Sequence, residues 1–158
     1  TKDVPIGVMV ETPAAAVLAN DLAKEAAFFS VGTNDLTQYT LAVDRMNMAV
    51  SYLYNHFDPA VLRLIRYTLR SADQLGKPCS VCGEMAADPL AIPLLLGMGL
   101  RKLSVGANAL LRTRKLISLC DIPSCEALAR DISKATTAKE VVSAIQKWIP
   151  ESYTEWII

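Results

Sequence analysis

Phe28-Phe29-Ser30-Val31-Gly32-Thr33-Asn34-Asp35 joins a short apolar run to a glycine and then to three polar residues. A run of this length bounded by a turn residue reads as a buried strand. The polar residues stand at its carboxyl end. The pattern recurs along the chain. Ile6-Gly7-Val8-Met9-Val10 is followed by Glu11, Pro78-Cys79-Ser80-Val81-Cys82 by Gly83-Glu84, and Lys102-Leu103-Ser104-Val105-Gly106 is a fourth run. Helical patterns separate them. Thr12-Pro13, Asp58-Pro59 and Asp88-Pro89 each set a capping residue before a proline at the first helical position. They predict helices over 14–24, from 59 to a stop at Gly76, and from 89 through 96. In the second, Val61, Leu62, Leu64, Ile65, Leu69, Ala72 and Leu75 form an apolar face, with Arg63, Arg66, Arg70 and Asp73 on the other side. A fourth helix is expected over 109–119.

Strands alternating with helices imply a parallel sheet. The expected fold is α/β, with four βα units over about 1–119 and terminal helices over about 120–158. Those helices fall at 124–134 and 138–149; Thr137 and Glu140 make a capping box, and Pro150 ends the second helix. The segment 33–57 is mixed. The apolar ending Trp156-Ile157-Ile158 is expected to dock on the rest. A doubly wound sheet and half of a (β/α)₈ barrel both fit, since a whole barrel takes roughly 250 residues.

Composition narrows the function classes. Sixteen basic residues balance sixteen acidic ones in 158, so net charge supplies no field for nucleic acid or an anionic membrane. Apolar residues make up 52% and charged ones 20%, which suits a buried core and not a disordered chain. No apolar run is long enough to span a bilayer. Thr1-Lys2-Asp3-Val4-Pro5 has no signal-peptide pattern and no initiator Met, so the chain is expected to start inside a longer protein. Four cysteines make no disulfide framework, and reduced thiols in a cytoplasm are expected.

Polar residues collect after the strands, where parallel sheets and barrels bind ligands. Glu11 and Asp35 would come from neighbouring strand ends, a pair that suits Mg²⁺ completed by water and a phosphorylated substrate; the alternative is that they cap the following helices. Asn34-Asp35 is also compatible with plain turn chemistry. Arg45 either binds a phosphate with its guanidinium or pairs with Asp44 at the surface. Cys79 and Cys82, three apart on a strand, point to opposite faces, which argues against a zinc or redox pair. Cys82 at the strand end is a candidate proton donor, and Cys79 a core residue. His56 is a phosphoryl acceptor, a base or an idle loop residue. The basic clusters Arg101-Lys102 and Arg112-Thr113-Arg114-Lys115 read as solvated faces.

Gly32-Thr33-Asn34-Asp35-Leu36-Thr37-Gln38-Tyr39-Thr40-Leu41-Ala42-Val43-Asp44-Arg45 resembles the signature of the phosphoenolpyruvate-utilising enzymes. Met9-Val10-Glu11-Thr12-Pro13-Ala14-Ala15 and Cys82-Gly83-Glu84-Met85-Ala86 resemble two further blocks, in that family's order and spacing. Glu11 to Ala16 and Leu94-Leu95-Leu96-Gly97-Met98-Gly99-Leu100 are more similar to the Enzyme I family of the sugar phosphotransferase system than to pyruvate phosphate dikinase or phosphoenolpyruvate synthase. The resemblance weakens after about Leu119. It implies the C-terminal half of a (β/α)₈ barrel that binds phosphoenolpyruvate and Mg²⁺ at its carboxyl end. It implies phosphoryl transfer to a histidine on a separate domain and then to a small histidine-containing phosphocarrier protein. It makes Glu11 and Asp35 the metal ligands, puts Asn34, Asp35 and Arg45 on the substrate, and makes Cys82, as a neutral thiol, the proton donor to the enolpyruvate carbon.

Two departures are mild: Ala27 stands where the family has an acidic residue, and Ala87 where it commonly has glycine. A larger one is expected outside the chain. The phosphohistidine domain and the first four barrel strands, with further phosphate-binding arginines, are missing from this sequence, and His56 does not lie in the phosphohistidine motif. The chain alone is expected to be inactive and to self-associate, as a homodimer, through its exposed half-barrel. The alternative is a non-catalytic dimerisation module, or the matching part of the dikinase or synthase.

Overall fold

Along a strand, side chains alternate between the two faces of a sheet. In the computed structural model, which describes residues 4–157, this alternation sorts the apolar runs. Three parallel strands, β1 (Val8–Val10), β2 (Phe29–Gly32) and β3 (Cys79–Cys82), lie side by side in chain order. Met9 pairs with Ser30 and Ser30 with Ser80; Gly32 pairs with Cys82. Val10, Phe29, Val31 and Val81 face the core and are buried. Met9, Ser30, Ser80 and Cys82 take the other face, which stays partly open, with Met9 49% exposed.

Several helices follow the expected starts, but the one expected from 89 begins at Ala91 without a side-chain cap and the one expected from 124 begins at Ile122. Thr12 caps α1 (Pro13–Val17) by accepting from the Ala15 N–H, with Pro13 at its start. The helix expected over 14–24 is in fact two, because the chain breaks at Leu18 (φ −90°, ψ 12°) before α2 (Ala19–Glu25). Within the mixed segment lies an unexpected helix, α3 (Thr33–Leu41), directly after β2. Asp58 caps α4 (Pro59–Gln74) by accepting from the Ala60 N–H, and α4 packs on α1, α2, α3 and the sheet through Val61, Ile65 and Leu69. Its end is closed by Lys77 N–H donating to the Ala72 carbonyl and Gly76 N–H to that of Asp73.

The fourth strand is a correction. The segment around Leu103 lies beside β3 and parallel to it, but pairs at one residue, Val81. Val81 N–H donates to the Lys102 carbonyl and the Val81 carbonyl accepts from Ser104 N–H. A parallel ladder would next use Gly83. Its carbonyl is taken by Ala86 N–H in the single turn Glu84–Ala87, so the chain has already left the sheet.

The remaining helices build a second layer: α5 (Ala91–Gly97), α6 (Leu110–Ser118), α7 (Ile122–Ile132), α8 (Ala138–Trp148) and a short α9 (Glu151–Thr154). Asp121 caps α7 and Thr137 caps α8. Helix α5 is buried along most of its length and packs closely on α7. At Gly97 a Cβ would meet the Cys125 carbonyl oxygen at 2.0 Å, so only glycine permits this approach. A small core of Ile92, Leu96, Leu116, Cys125 and Tyr153 joins these helices. The tail docks in part, through Tyr153 and Ile157, while the Trp156 side chain is exposed. Tyr153 is fully buried and donates to the Pro89 carbonyl at 2.7 Å, and Arg112 Nε donates to that of Trp156. Thr1, Lys2, Asp3 and Ile158 lie outside the described residues. Among the described residues no helix is long and apolar enough to cross a membrane.

Candidate functional site

The carboxyl ends of the three strands lie level, since the pairing register sets Gly32 beside Cys82. Thr12 takes the cap of α1, so Glu11 is released from that task. Its carboxylate leans over the end of β2: a Cβ on Gly32 would lie 2.8 Å from Glu11 Oε2. Helix α3 begins at once after β2, which puts Thr33, Asn34 and Asp35 in its first turn. Buried Thr33 ties β2 to β3 by donating through Oγ1 to the Cys82 carbonyl at 2.7 Å. Asn34 Oδ1 accepts from the Glu84 N–H at 3.0 Å. With that oxygen occupied, the amide NH₂ is the end left for a ligand. Gly83, at φ 94°, makes the turn beneath it, where a Cβ would meet Thr33 Oγ1 at 2.5 Å.

Arg45 reaches the site by a reversal of the chain. Ala42 ends α3 in the left-handed region (φ 53°), and Arg45 N–H then donates to Gln38 Oε1. The guanidinium lies 4.0 Å from Asp35 Oδ1, a loose contact between partly exposed groups. Asp44, the alternative partner, instead accepts from Met46 N–H.

Cys82 and Cys79 lie on opposite faces of the sheet, as their spacing predicts. Cys79 packs against the core, and burial pushes its thiol up to about 11. Cys82 opens onto the other face, where its Sγ accepts from Ser30 Oγ at 3.6 Å and lies 3.9 Å from Met9 Sδ.

Two residues not placed in the site by sequence reasoning border it. Tyr54 donates its hydroxyl to the Asn34 carbonyl at 3.2 Å, and burial pushes its phenol up. His56 Nε2 lies 2.8 Å from Asp88 Oδ2, and its ring stacks at a tilt on Phe57. An open cleft of about 640 Å³ runs past Asn34, His56, Glu84, Asp88, Ser104 and Asn108. The only sequence signal for either residue is a polar side chain on a loop near an Asp-Pro start.

Among the described residues no three acidic, histidine or cysteine side chains form a closed cation cage. A carboxylate after β1, Glu11, and one in the first turn of α3, Asp35, are of the kind that suits Mg²⁺, which takes one or two protein carboxylates and fills the rest of its shell with water and substrate. The Glu11 carboxylate lies in the space that a side chain at Gly32 would fill.

Comparison with known sequences gives the family. The family described as "PEP-utilising enzyme, PEP-binding domain" matches residues 1–122. The chain belongs to the PEP-utilising enzyme family. Among its curated relatives are proteins named phosphoenolpyruvate-protein phosphotransferase. That of Listeria monocytogenes is 47% identical over 148 residues, which are 94% of this chain and 26% of that protein. That of Enterococcus faecalis is 48% identical over 149 residues, 94% of this chain and 26% of the relative. That of Bacillus subtilis is 47% identical over 145 residues, 92% and 25% of the two chains. The chain thus spans about a quarter of the length of these relatives.

Proposed function

We propose that the chain is the phosphoenolpyruvate-binding part of a phosphoenolpyruvate–protein phosphotransferase, and that its strand-end residues hold the substrate with Mg²⁺. The convergence of Glu11, Asn34, Asp35, Arg45 and Cys82 on one end of a parallel sheet carries the reading. Glu11 and Asp35 would hold the cation, which neutralises charge on a phosphoryl group in transfer. Asn34, through its amide NH₂, and Arg45 would bind phosphate oxygens. The charge balance explains why a cation is needed. Glu11 lies at the end of β2 and Asp35 in the first turn of α3, with Arg45 as the cationic neighbour of Asp35, and an anionic substrate meets net repulsion there unless a divalent ion enters with it.

Cys82 would supply the proton. When the phosphoryl group leaves, the enolate carbon takes the thiol's proton and becomes the methyl of pyruvate, and the thiolate recovers a proton from water. The Ser30 hydroxyl hydrogen-bonded to Sγ holds the thiol on the open face. The phosphoryl group would go to a protein acceptor, as the relatives' name suggests; the sequence resemblance makes that acceptor a histidine on another domain and then a phosphocarrier protein. The strands, in chain order and extended by Leu103, favour the C-terminal half of a (β/α)₈ barrel over a doubly wound sheet, whose order reverses. The half-open sheet face supports a homodimer or a completing half-barrel as its cover, in a cytoplasmic protein.

The test is a calorimetric titration of phosphoenolpyruvate with and without Mg²⁺, repeated on Asp35→Ala. Saturable binding that needs Mg²⁺ and vanishes in the variant is expected. No binding by the folded chain would overturn the reading for this chain and leave the alternative, a structural and dimerisation module.

A further inference from the structure

We propose that His56, through its pair with Asp88, is a positioning residue for Asn34; the inference deepens the phosphoenolpyruvate-binding reading and rests on it for the identity of the ligand. Residues 54–57 form a strap across the site between the first turn of α3 and the loop after β3. At one end Tyr54 donates to the Asn34 carbonyl at 3.2 Å. At the other, His56 Nε2 meets Asp88 Oδ2 at 2.8 Å, with both side chains about four-fifths buried (19% and 22% exposed). Asp88 is itself fixed, because its second oxygen accepts from the Leu90 N–H at 2.8 Å. The strap is anchored in between by buried Phe57, whose N–H donates to Asn55 Oδ1 and whose ring packs on the imidazole.

The contacts close into a ring. Asn34 Oδ1 accepts from Glu84 N–H, and Glu84 opens the turn that ends at Asp88. Asp88 holds His56, and two residues before it Tyr54 returns to Asn34. Asn34 is therefore held at its carbonyl by the strap and at its side chain by the loop after β3. His56–Asp88 is the bond that joins strap and loop. Release of that bond frees the loop to move relative to α3, and the Asn34 amide loses the Glu84 N–H that orients it. His56 touches no reacting atom in this arrangement. Its Nε2 is engaged by Asp88, so this atom is not a free phosphoryl acceptor or base.

The experiment compares the wild-type chain with His56→Phe, which keeps a stacked ring without the donor, and His56→Gln, whose side-chain amide can donate to Asp88. Two quantities are read: hydrogen exchange at the Glu84 amide, and affinity for phosphoenolpyruvate with Mg²⁺ by calorimetry. Faster Glu84 exchange and about tenfold weaker binding are expected in His56→Phe, the scale of one charge-assisted hydrogen bond. His56→Gln is expected to restore both to within about threefold of wild type, at a melting temperature close to that of His56→Phe. Should His56→Phe fail to fold, His56→Ala replaces it with the same expectation. Wild-type exchange at Glu84 in the donor-less variant, or no rescue by Gln, overturns the proposal. If the wild type binds no phosphoenolpyruvate, the ligand reading fails, and the exchange comparison still decides whether the pair holds Asn34.

Discussion

The carboxylate of Glu11 occupies the volume that a side chain at Gly32 would take, with Oε2 2.8 Å from where a Cβ would stand. Gly32 is thus a glycine for the sake of a neighbouring strand end. Gly32→Ala is expected to push the Glu11 carboxylate aside and to weaken Mg²⁺ affinity about tenfold, the low end of what disturbing a ligand's support costs. A titration with Mn²⁺ as a paramagnetic probe checks this. Affinity equal to wild type in the folded variant would show that Glu11 does not hold the ion.

Gly97 answers to a different constraint. A Cβ there would lie 2.0 Å from the Cys125 carbonyl oxygen, a backbone atom that cannot swing away. Gly97→Ala is expected to force α5 and α7 apart and to destabilise the chain by about 1–3 kcal/mol, the usual cost of overpacking. Urea denaturation should show a lower midpoint at unchanged slope.

Thiol chemistry should separate the cysteines. The neighbouring Cys125 side chain holds the Cys120 thiol below its ordinary range, whereas burial pushes Cys79 up to about 11. Cys125 is fully buried. Near pH 8 iodoacetamide should therefore alkylate Cys120 well before Cys79 or Cys125, as read by mass spectrometry of a time course. Labelling of Cys79 ahead of Cys120 would contradict the arrangement.

Glu140 closes the start of α8 by accepting from the Thr136 N–H at 2.8 Å, while Thr137 accepts from the Glu140 N–H. The carboxylate reaches one residue further back than in the usual capping box. These donors hold the Glu140 carboxyl below its ordinary range, chiefly the Thr136 backbone N–H. A depressed carboxyl stabilises the fold above its unfolded pKa and loses that contribution as pH falls through the folded value. Glu140→Gln should lower the melting temperature at pH 7, and the difference should shrink toward pH 3. A difference that is constant with pH would place the effect elsewhere.

Much of this was legible because the signals are local. Asp58-Pro59 and Thr137 with Glu140 start helices by chemistry within a few residues. Short β-branched runs ended by glycine mark strands. The break at Leu18 was not legible, since no glycine or proline marks it and the surrounding residues favour helix. Helix α3 was hidden for the opposite reason: Thr33, Asn34, Asp35, Thr37 and Thr40 are weak helix formers, and the helix depends on Leu36 and Thr37 being buried. The fourth strand failed on a backbone carbonyl already committed to a turn, which no side-chain pattern reports. Glu11, Asn34, Asp35, Arg45 and Cys82 could be picked out by sequence because each follows a strand or lies in a family motif. Tyr54 and His56 reach their partners across 20 and 32 residues of chain, through contacts that sequence spacing does not encode.

The register Met9–Ser30–Ser80 acts as a ruler for the whole site. Loss of one residue between Cys79 and Cys82 would exchange the two faces of β3, burying the sulfur that now opens outward and turning Val81's place in the core over to a polar or shorter group. The strands can therefore exchange side chains within a face far more readily than they can change length, and the helical shell around them is where insertions are expected to be tolerated.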